Sequence, residues 1–253
     1  MEQSRKKFLK NFLIGATSVP VIIAACKKDD VTSNSGTTTT TDTGTGTGTD
    51  SGSCTVSPTE TSGPFPTHTP SSLVRSDIRL DRTGVVLTVN ITIRNANNSC
   101  ATLSDAIVDI WHCDKDGYYS EYGGSGMQSA DFTSVHFLRG RQTTDANGLV
   151  TFTSIFPGWY SGRATHIHVH VYNSAGKSLL ITQIAFPEGT DSAVATVNGS
   201  GGVSYGYSKG MTGYTYNAAD NIFNDDSTGS EIATVTGSLS AGYVLMHNIY
   251  VAA

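Results

Sequence analysis

From Val85 to Ile93 the chain reads Val-Val-Leu-Thr-Val-Asn-Ile-Thr-Ile. Apolar and polar side chains alternate, and most are β-branched. Successive side chains on a strand point to opposite faces, so this pattern demands a strand with one face in a core. Similar runs recur at Ala106 to His112, Gln142 to Thr144, Leu149 to Ile155, His166 to Tyr172, Ser178 to Phe186 and Tyr243 to Val251. Turn chemistry separates them. Asp145-Ala146-Asn147-Gly148 and Asn173-Ser174-Ala175-Gly176 each predict a hairpin between the runs they join. Residues 54–253 show no long amphipathic helix and no internal repeat. The expected fold is all-β, a β-sandwich of mostly antiparallel strands with long irregular loops. The longest loop is 187–230, rich in Gly, Ser, Tyr, Asn and Asp. Its aromatic residues Tyr205, Tyr207, Tyr214, Tyr216 and Phe223 suggest that it packs down, either over a site or as a surface insertion.

The amino-terminal part is of another kind. Arg5, Lys6, Lys7 and Lys10 precede an apolar run from Phe12 to Ala25, broken by Pro20. The run is short for a membrane span and has the proportions of a secretory signal. It ends Ile23-Ala24-Ala25-Cys26, which resembles a bacterial lipobox and predicts cleavage before Cys26 and lipidation of its thiol. An ordinary secretory signal with an incidental cysteine is the alternative. Ser4 to Lys10 also resembles a twin-arginine signal, with Lys6 where the second arginine would stand, so the export route stays open. Residues 27–53 are Thr, Gly, Ser and Asp with almost nothing apolar. They cannot bury enough surface to offset their ordering entropy and read as a flexible tether. The expected organisation is a lipoprotein signal at 1–25, lipidated Cys26 and linker at 26–53, and one β domain at 54–253. Such a protein would be exported and lipid-anchored in a bacterial envelope, at the outer membrane or cell surface.

A net charge of −5 argues against nucleic acid as a partner. With Cys26 set aside, Cys54, Cys100 and Cys113 remain. Outside the cytoplasm they predict one disulfide and one free thiol. Cys100 and Cys113 flank a strand that would hold them apart, so Cys54 is the expected partner of one of them, and the sequence leaves open which. No cysteine spacing makes a zinc site.

His166, His168 and His170 occupy alternate positions of one run. Neighbours two apart on a strand share a face at roughly 6–7 Å, close enough to hold one ion; the outer two, about 13 Å apart, are not. The pair is therefore 166/168 or 168/170, and copper, zinc and iron all remain possible from spacing alone. Tyr119 and Tyr160 each stand in a turn at a strand end, where sites form. A buried tyrosine more often only packs its ring and bonds its hydroxyl. As ligands, though, hard phenolate oxygens favour a ferric ion over zinc, and a phenol ionises near neutrality only beside a strong cation.

Several blocks together resemble the intradiol ring-cleavage dioxygenases, the family of protocatechuate 3,4-dioxygenase and catechol 1,2-dioxygenase. They are Val108-Asp109-Ile110-Trp111-His112-Cys113-Asp114 with Gly117-Tyr118-Tyr119-Ser120, Thr144 to Gly148, Phe152 to Tyr160 ending Pro157-Gly158-Trp159-Tyr160, Arg163-Ala164-Thr165-His166-Ile167-His168, Thr182-Gln183, and Thr61-Ser62-Gly63-Pro64-Phe65. The resemblance spans about residues 54–250. It implies Fe³⁺ held by Tyr119, Tyr160, His166 and His168, with His170 outside the ligand set. It implies catalytic roles for Arg163, Gln183 and Tyr160, with an aromatic 1,2-diol and O₂ as substrates and a cis,cis-muconate-type product. The segment between Tyr160 and His166 is shorter than in well-studied members, Ala164-Thr165 replaces Pro-Ala, and the helical dimerisation region of catechol-type enzymes is absent. These departures bear on the substrate and the assembly. A carboxylated diol would need a nearby cation, for which Arg139, Arg141 and Lys209 are candidates. The competing expectations are a tethered module that binds aromatics without turning them over, and a His-x-His copper or zinc protein. For Arg163 the alternative is an ordinary surface salt bridge.

Overall fold

The computed structural model describes residues 54–124 and 126–253. The expected signal, Cys26 and the linker lie outside the described residues. Among the described residues nine strands form two sheets: β1 (Val86–Asn95), β2 (Ala101–Thr102), β3 (Ile107–Trp111), β4 (Arg139–Thr143), β5 (Leu149–Ile155), β6 (His166–Tyr172), β7 (Ser178–Ala185), β8 (Thr234–Ser238) and β9 (Gly242–Val251). In the first sheet β1 is central. It pairs in parallel with β9 on one edge and antiparallel with β5 and the short β2 on the other; β8 follows β9. The second sheet runs β4-β3-β6-β7, all antiparallel. This is the expected all-β sandwich. Its one α-helix among the described residues, α1 (Ala193–Val197), is a five-residue piece.

The alternation in the sequence becomes the core. Leu87, Val89, Ile91 and Ile93 of β1 and Phe152 of β5 face Val108, Ile110, Ile167, Val169, Val171 and Ile184 of the second sheet, all at 0% exposure. Burial of each such side chain contributes roughly 1.5–3 kcal/mol.

Two expectations about connections meet different ends. The turn 173–176 joins β6 to β7 as a hairpin, closed by Asn173 N–H to the Lys177 carbonyl at 2.9 Å. The turn 145–148 does not make a hairpin. It is tight, with Gly148 N–H donating to the Asp145 carbonyl at 2.9 Å, but β4 and β5 belong to different sheets. The chain arches over the end of the sandwich there. Gly148 has φ +71°, and a Cβ on it would lie 2.6 Å from the Ile93 carbonyl oxygen, so the arch requires glycine. Turn residues dictate local bending; which sheet the next strand joins depends on where its apolar face finds cover. β4 also begins at Arg139, three residues before the expected run.

Cys54 is bonded to Cys100, which decides between the two expected pairings, and Cys113 is the buried free thiol. The segment 187–230 packs down. Tyr207, Tyr214, Ile222 and Phe223 join the main core, and Asp220 is fully buried. Among the described residues no helix is long and apolar enough to cross a membrane.

Candidate metal centre

Because Val108, Ile110, Ile167 and Val169 point into the core, their neighbours point out of the other face of the second sheet. Strand register aligns Arg139, Trp111, His168 and Gln183 in one row across β4-β3-β6-β7. This face looks away from the core, yet the row is buried: 1%, 2%, 0% and 0% exposed. The segment ahead of β1 covers it. Gly63, at φ +65°, lies against the His168 ring; a Cβ there would come within 2.7 Å of Cε1. Trp111 stacks on the same imidazole, with ring centroids 5.0 Å apart and planes 2° from parallel.

His166 stands one pleat along β6, at 2% exposure. Its Nδ1 is 2.6 Å from the Ala164 carbonyl, so that nitrogen carries the proton and Nε2 presents a lone pair. Nε2 lies 3.1 Å from His168 Nε2 and 3.3 Å from the Tyr119 hydroxyl. Burial, then the Arg163 charge, pushes His166 down to about 3; burial, then His166 itself, pushes His168 well below its ordinary value. Burial thus favours the neutral form of both rings.

Tyr119 is delivered by a turn built on Asp114. The Asp114 carboxylate accepts from the N–H groups of Asp116 (3.0 Å) and Tyr118 (2.9 Å). Gln128 then clamps the Tyr119 backbone, accepting from its N–H at 2.7 Å and donating to its carbonyl at 2.8 Å. Phe65 stacks on the Tyr119 ring at 4.6 Å. Tyr160 follows the end of β5, and its ring stands edge-on to His166 at 5.7 Å and to Tyr119 at 5.8 Å. Burial raises the pKa of both phenols, strongly for Tyr119; Arg163 pulls that of Tyr160 partly back. Burial thus favours the protonated form of both phenols. The four side chains singled out in the sequence are thus brought together. His170 is not among them: it stacks on Tyr172 at 3.9 Å and bonds Tyr172 Oη and Ser178 Oγ, each at 2.8 Å.

Arg163 is no surface salt bridge. It is 7% exposed, and its Nε donates to both oxygens of Asp220, at 3.1 and 2.9 Å. Nη2 donates to Gln183 Oε1 at 2.7 Å, and Nη1 lies 3.5 Å from His166 Nε2. Gln183 Nε2 in turn donates to the Thr61 carbonyl at 2.9 Å. Asp220 was not foreseen: it sits in the aperiodic loop, where nothing in the sequence separates it from its neighbours. The same holds for Gln128.

The other candidate cations are committed elsewhere. Arg139 donates to the carbonyls of Phe65 (2.9 Å) and Ser120 (2.6 Å). Arg141 pairs with Asp109 at 2.7 Å. Lys209 donates to the Trp159 carbonyl at 2.6 Å and lies over that indole. Among the described residues no group of three or more His, Cys, Asp or Glu side chains converges as a metal site. The donors gathered here are two imidazoles and two phenols.

A family model described as Dioxygenase matches residues 63–198. No curated protein sequence matches. An intradiol ring-cleavage dioxygenase from Tetranychus urticae is 30% identical, with a TM-score of 0.64 over 78% of this chain and 94% of that one. The dioxygenase domain of a dioxygenase and carbohydrate-binding fusion from Streptomyces sp. SirexAA-E is 25% identical, with a TM-score of 0.52 over 76% and 96%. Hydroxyquinol 1,2-dioxygenase from Pseudomonas putida DLL-E4 shares the fold at 15% identity, with a TM-score of 0.53 over 78% and 66%. The chain belongs to the intradiol ring-cleavage dioxygenases, oxidoreductases that open catechol-type aromatic rings.

Proposed function

We propose that this chain is a ferric intradiol dioxygenase whose ion is held by Tyr119, Tyr160, His166 and His168. The supporting observation is the convergence of two buried imidazole nitrogens, 3.1 Å apart, beside the buried Tyr119 hydroxyl. With His168 protonated on Nδ1, which has no other partner, both nitrogens offer lone pairs, an arrangement that suits a cation better than each other. The phenol oxygens make the set hard enough for Fe³⁺. When bound, such an ion would supply Lewis acidity toward the diol, ionise the phenols and make the ring reactive toward O₂.

The chain's own groups do the rest. Tyr160, the less buried phenol, would, once ionised beside the ion, take a proton from the incoming diol at its phenolate oxygen. Arg163, held by Asp220 and Gln183, offers a fixed positive charge to negative charge developing on the ring. Gln183 fixes the Arg163 head through Oε1. Phe65 and the segment 60–66 keep water from the ligand face. The product class is a cis,cis-muconate. Lipidation at Cys26 and a tether over 27–53 would place this domain in the bacterial envelope, open to diffusing diols.

An aerobic visible spectrum of the purified protein, with a panel of catechols and an oxygen electrode, tests the reading. A red to burgundy band from phenolate-to-iron charge transfer, shifting when catechol is added with O₂ uptake, is expected. Colourless protein with stoichiometric zinc and no uptake overturns it.

A further inference from the structure

The segment 159–165 carries both Tyr160 and Arg163, and it lies ahead of the strand ladder, because β6 begins at His166. Its own backbone closes a turn, with Arg163 N–H donating to the Tyr160 carbonyl at 3.2 Å. Ser161 and Gly162 are exposed, whereas Ala164 and Thr165 are buried. Buried N–H and carbonyl groups need partners. Here the partners come from the long segment 187–230.

Trp159 is gripped at three points. Lys209 Nζ donates to its carbonyl at 2.6 Å, the ammonium lies 4.1 Å from the centre of a ring of the indole, and the indole Nε1 donates to the Gly210 carbonyl at 3.0 Å. Ala164 N–H donates to Asp220 Oδ2 at 2.6 Å, the same oxygen that accepts from Arg163 Nε at 2.9 Å. Thr165 N–H donates to Tyr214 Oη at 2.9 Å. These partners are themselves fixed. Tyr214 Oη donates to Glu188 Oε1 at 2.8 Å, and Asp220 Oδ1 accepts from Ile222 N–H at 2.8 Å. Tyr160 and Arg163 thus stand on a segment tied at both ends to side chains some fifty positions further along the chain.

We propose that 187–230 is a brace for this segment, in which Lys209, Tyr214 and Asp220 are positioning residues that set the Tyr160 ring and the Arg163 head for the reaction. The catalytic part of this rests on the dioxygenase reading above. The long segment is then part of the frame of the site and not a surface insertion.

The test uses Tyr214→Phe and Lys209→Met, with Tyr207→Phe as the control. Tyr207 is a buried tyrosine of the same long segment, but its hydroxyl donates to the Phe156 carbonyl at 2.7 Å and accepts from Val85 N–H at 3.3 Å, outside 159–165. Two readouts are taken: amide hydrogen exchange in the metal-free protein, and kcat, KM and the visible band of the iron-loaded protein with 4-methylcatechol. Tyr214→Phe should speed exchange at Thr165 by roughly tenfold, as loss of one hydrogen bond does. It should also lower kcat by roughly tenfold with KM held, because the Arg163 head leaves the place where charge develops. Lys209→Met should lower kcat similarly and shift the band as well, since Tyr160 follows the freed carbonyl. Tyr207→Phe should melt at a lower temperature yet keep kcat, the band and the Thr165 exchange rate. Wild-type kcat and band in both test variants, or equal losses in Tyr207→Phe, overturn the brace. Wild-type protein that is colourless and consumes no diol, while Thr165 exchange still responds to Tyr214→Phe, supports the brace and overturns the dioxygenase reading.

Discussion

Two adjacent rows on one face of the second sheet have opposite fates. The row Arg139–Trp111–His168–Gln183 is sealed under the segment 60–66 and holds part of the proposed metal centre. The next row, Arg141–Asp109–His170–Ile181, is one pleat away, with the same strands, the same register and another histidine. There the guanidinium closes on the buried Asp109 carboxylate and the imidazole on a tyrosine and a serine, so the row satisfies its own polar groups. Register alone does not make a ligand. What separates His168 from His170 is cover: a glycine that can lie on the ring, an indole stacked on it, and the tyrosine-bearing turns that arrive only at that end of the sheet.

The comparison breaks most sharply at the ligands. Tyr119→Phe and His168→Ala should each abolish turnover and bleach the visible band, while His170→Ala leaves both near wild type; iron content and oxygen uptake decide. If His170→Ala also bleaches the protein, the two rows are not functionally distinct.

The arginines come next. Arg163→Leu should cut kcat by roughly 10²–10³-fold with iron retained, the range for loss of one electrostatic stabiliser. Arg141→Leu should leave kcat intact and cost about 1–3 kcal/mol of stability, because Asp109 loses its partner. Equal kinetic damage from both would erase the distinction.

Gly63→Ala probes the cover itself. The left-handed backbone alone costs about 1–2 kcal/mol with a side chain in place, and the added methyl would displace the His168 ring. A shift of the charge-transfer band, larger than any change in unfolding temperature can explain, is the expected signature. An unshifted band would show that the cover does not set the ring.

The smallest effect is expected at Glu231, away from both rows. Its folded pKa, about 8, lies above the ordinary 4.5. A raised pKa means that folding favours the protonated acid, so its contribution is intact below pH 4.5 and lost as pH rises through 8. Glu231→Gln, which mimics the neutral acid, should therefore match wild type near pH 4.5 and melt a few degrees higher above pH 8. Scanning calorimetry across that range would show equal melting at every pH if the carboxylate were in fact relieved by solvent.

Much of this was legible in the sequence. Alternation marked β1 and β5, where the buried positions recur every second residue, and much of β9; β6 and β7, buried on both faces at their site ends, were marked by apolar and β-branched content between turn signals. The donors Tyr119, Tyr160, His166 and His168 could be named because they sit in short motifs next to strands. What escaped was decided at a distance. β8 reads Thr-Val-Thr-Gly-Ser and buries none of these residues, so its pattern carries no imprint of a core. Arg139 and Gly140 do not look like strand residues, and become so only because the guanidinium finds carbonyls at Phe65 and Ser120. Asp220 meets Arg163 across 57 positions of chain. The arch at 145–148 looked like a hairpin because its turn residues are those of one.

The parallel pairing of β1 with β9 has a consequence for the order of events during folding. Leu87 meets Tyr243 and Asn95 meets Val251, so the innermost seam of the first sheet joins regions far apart in the chain. Until β9 emerges, β1 has only β5 and β2 beside it, and the apolar row Leu87–Ile93 stands half clad. Contacts of such span come late and slow the search. The ligand turns and the loop 187–230 are therefore all synthesised before the fold that must hold them can close. A chain halted at Ser240 should show no cooperative unfolding, however complete its site residues.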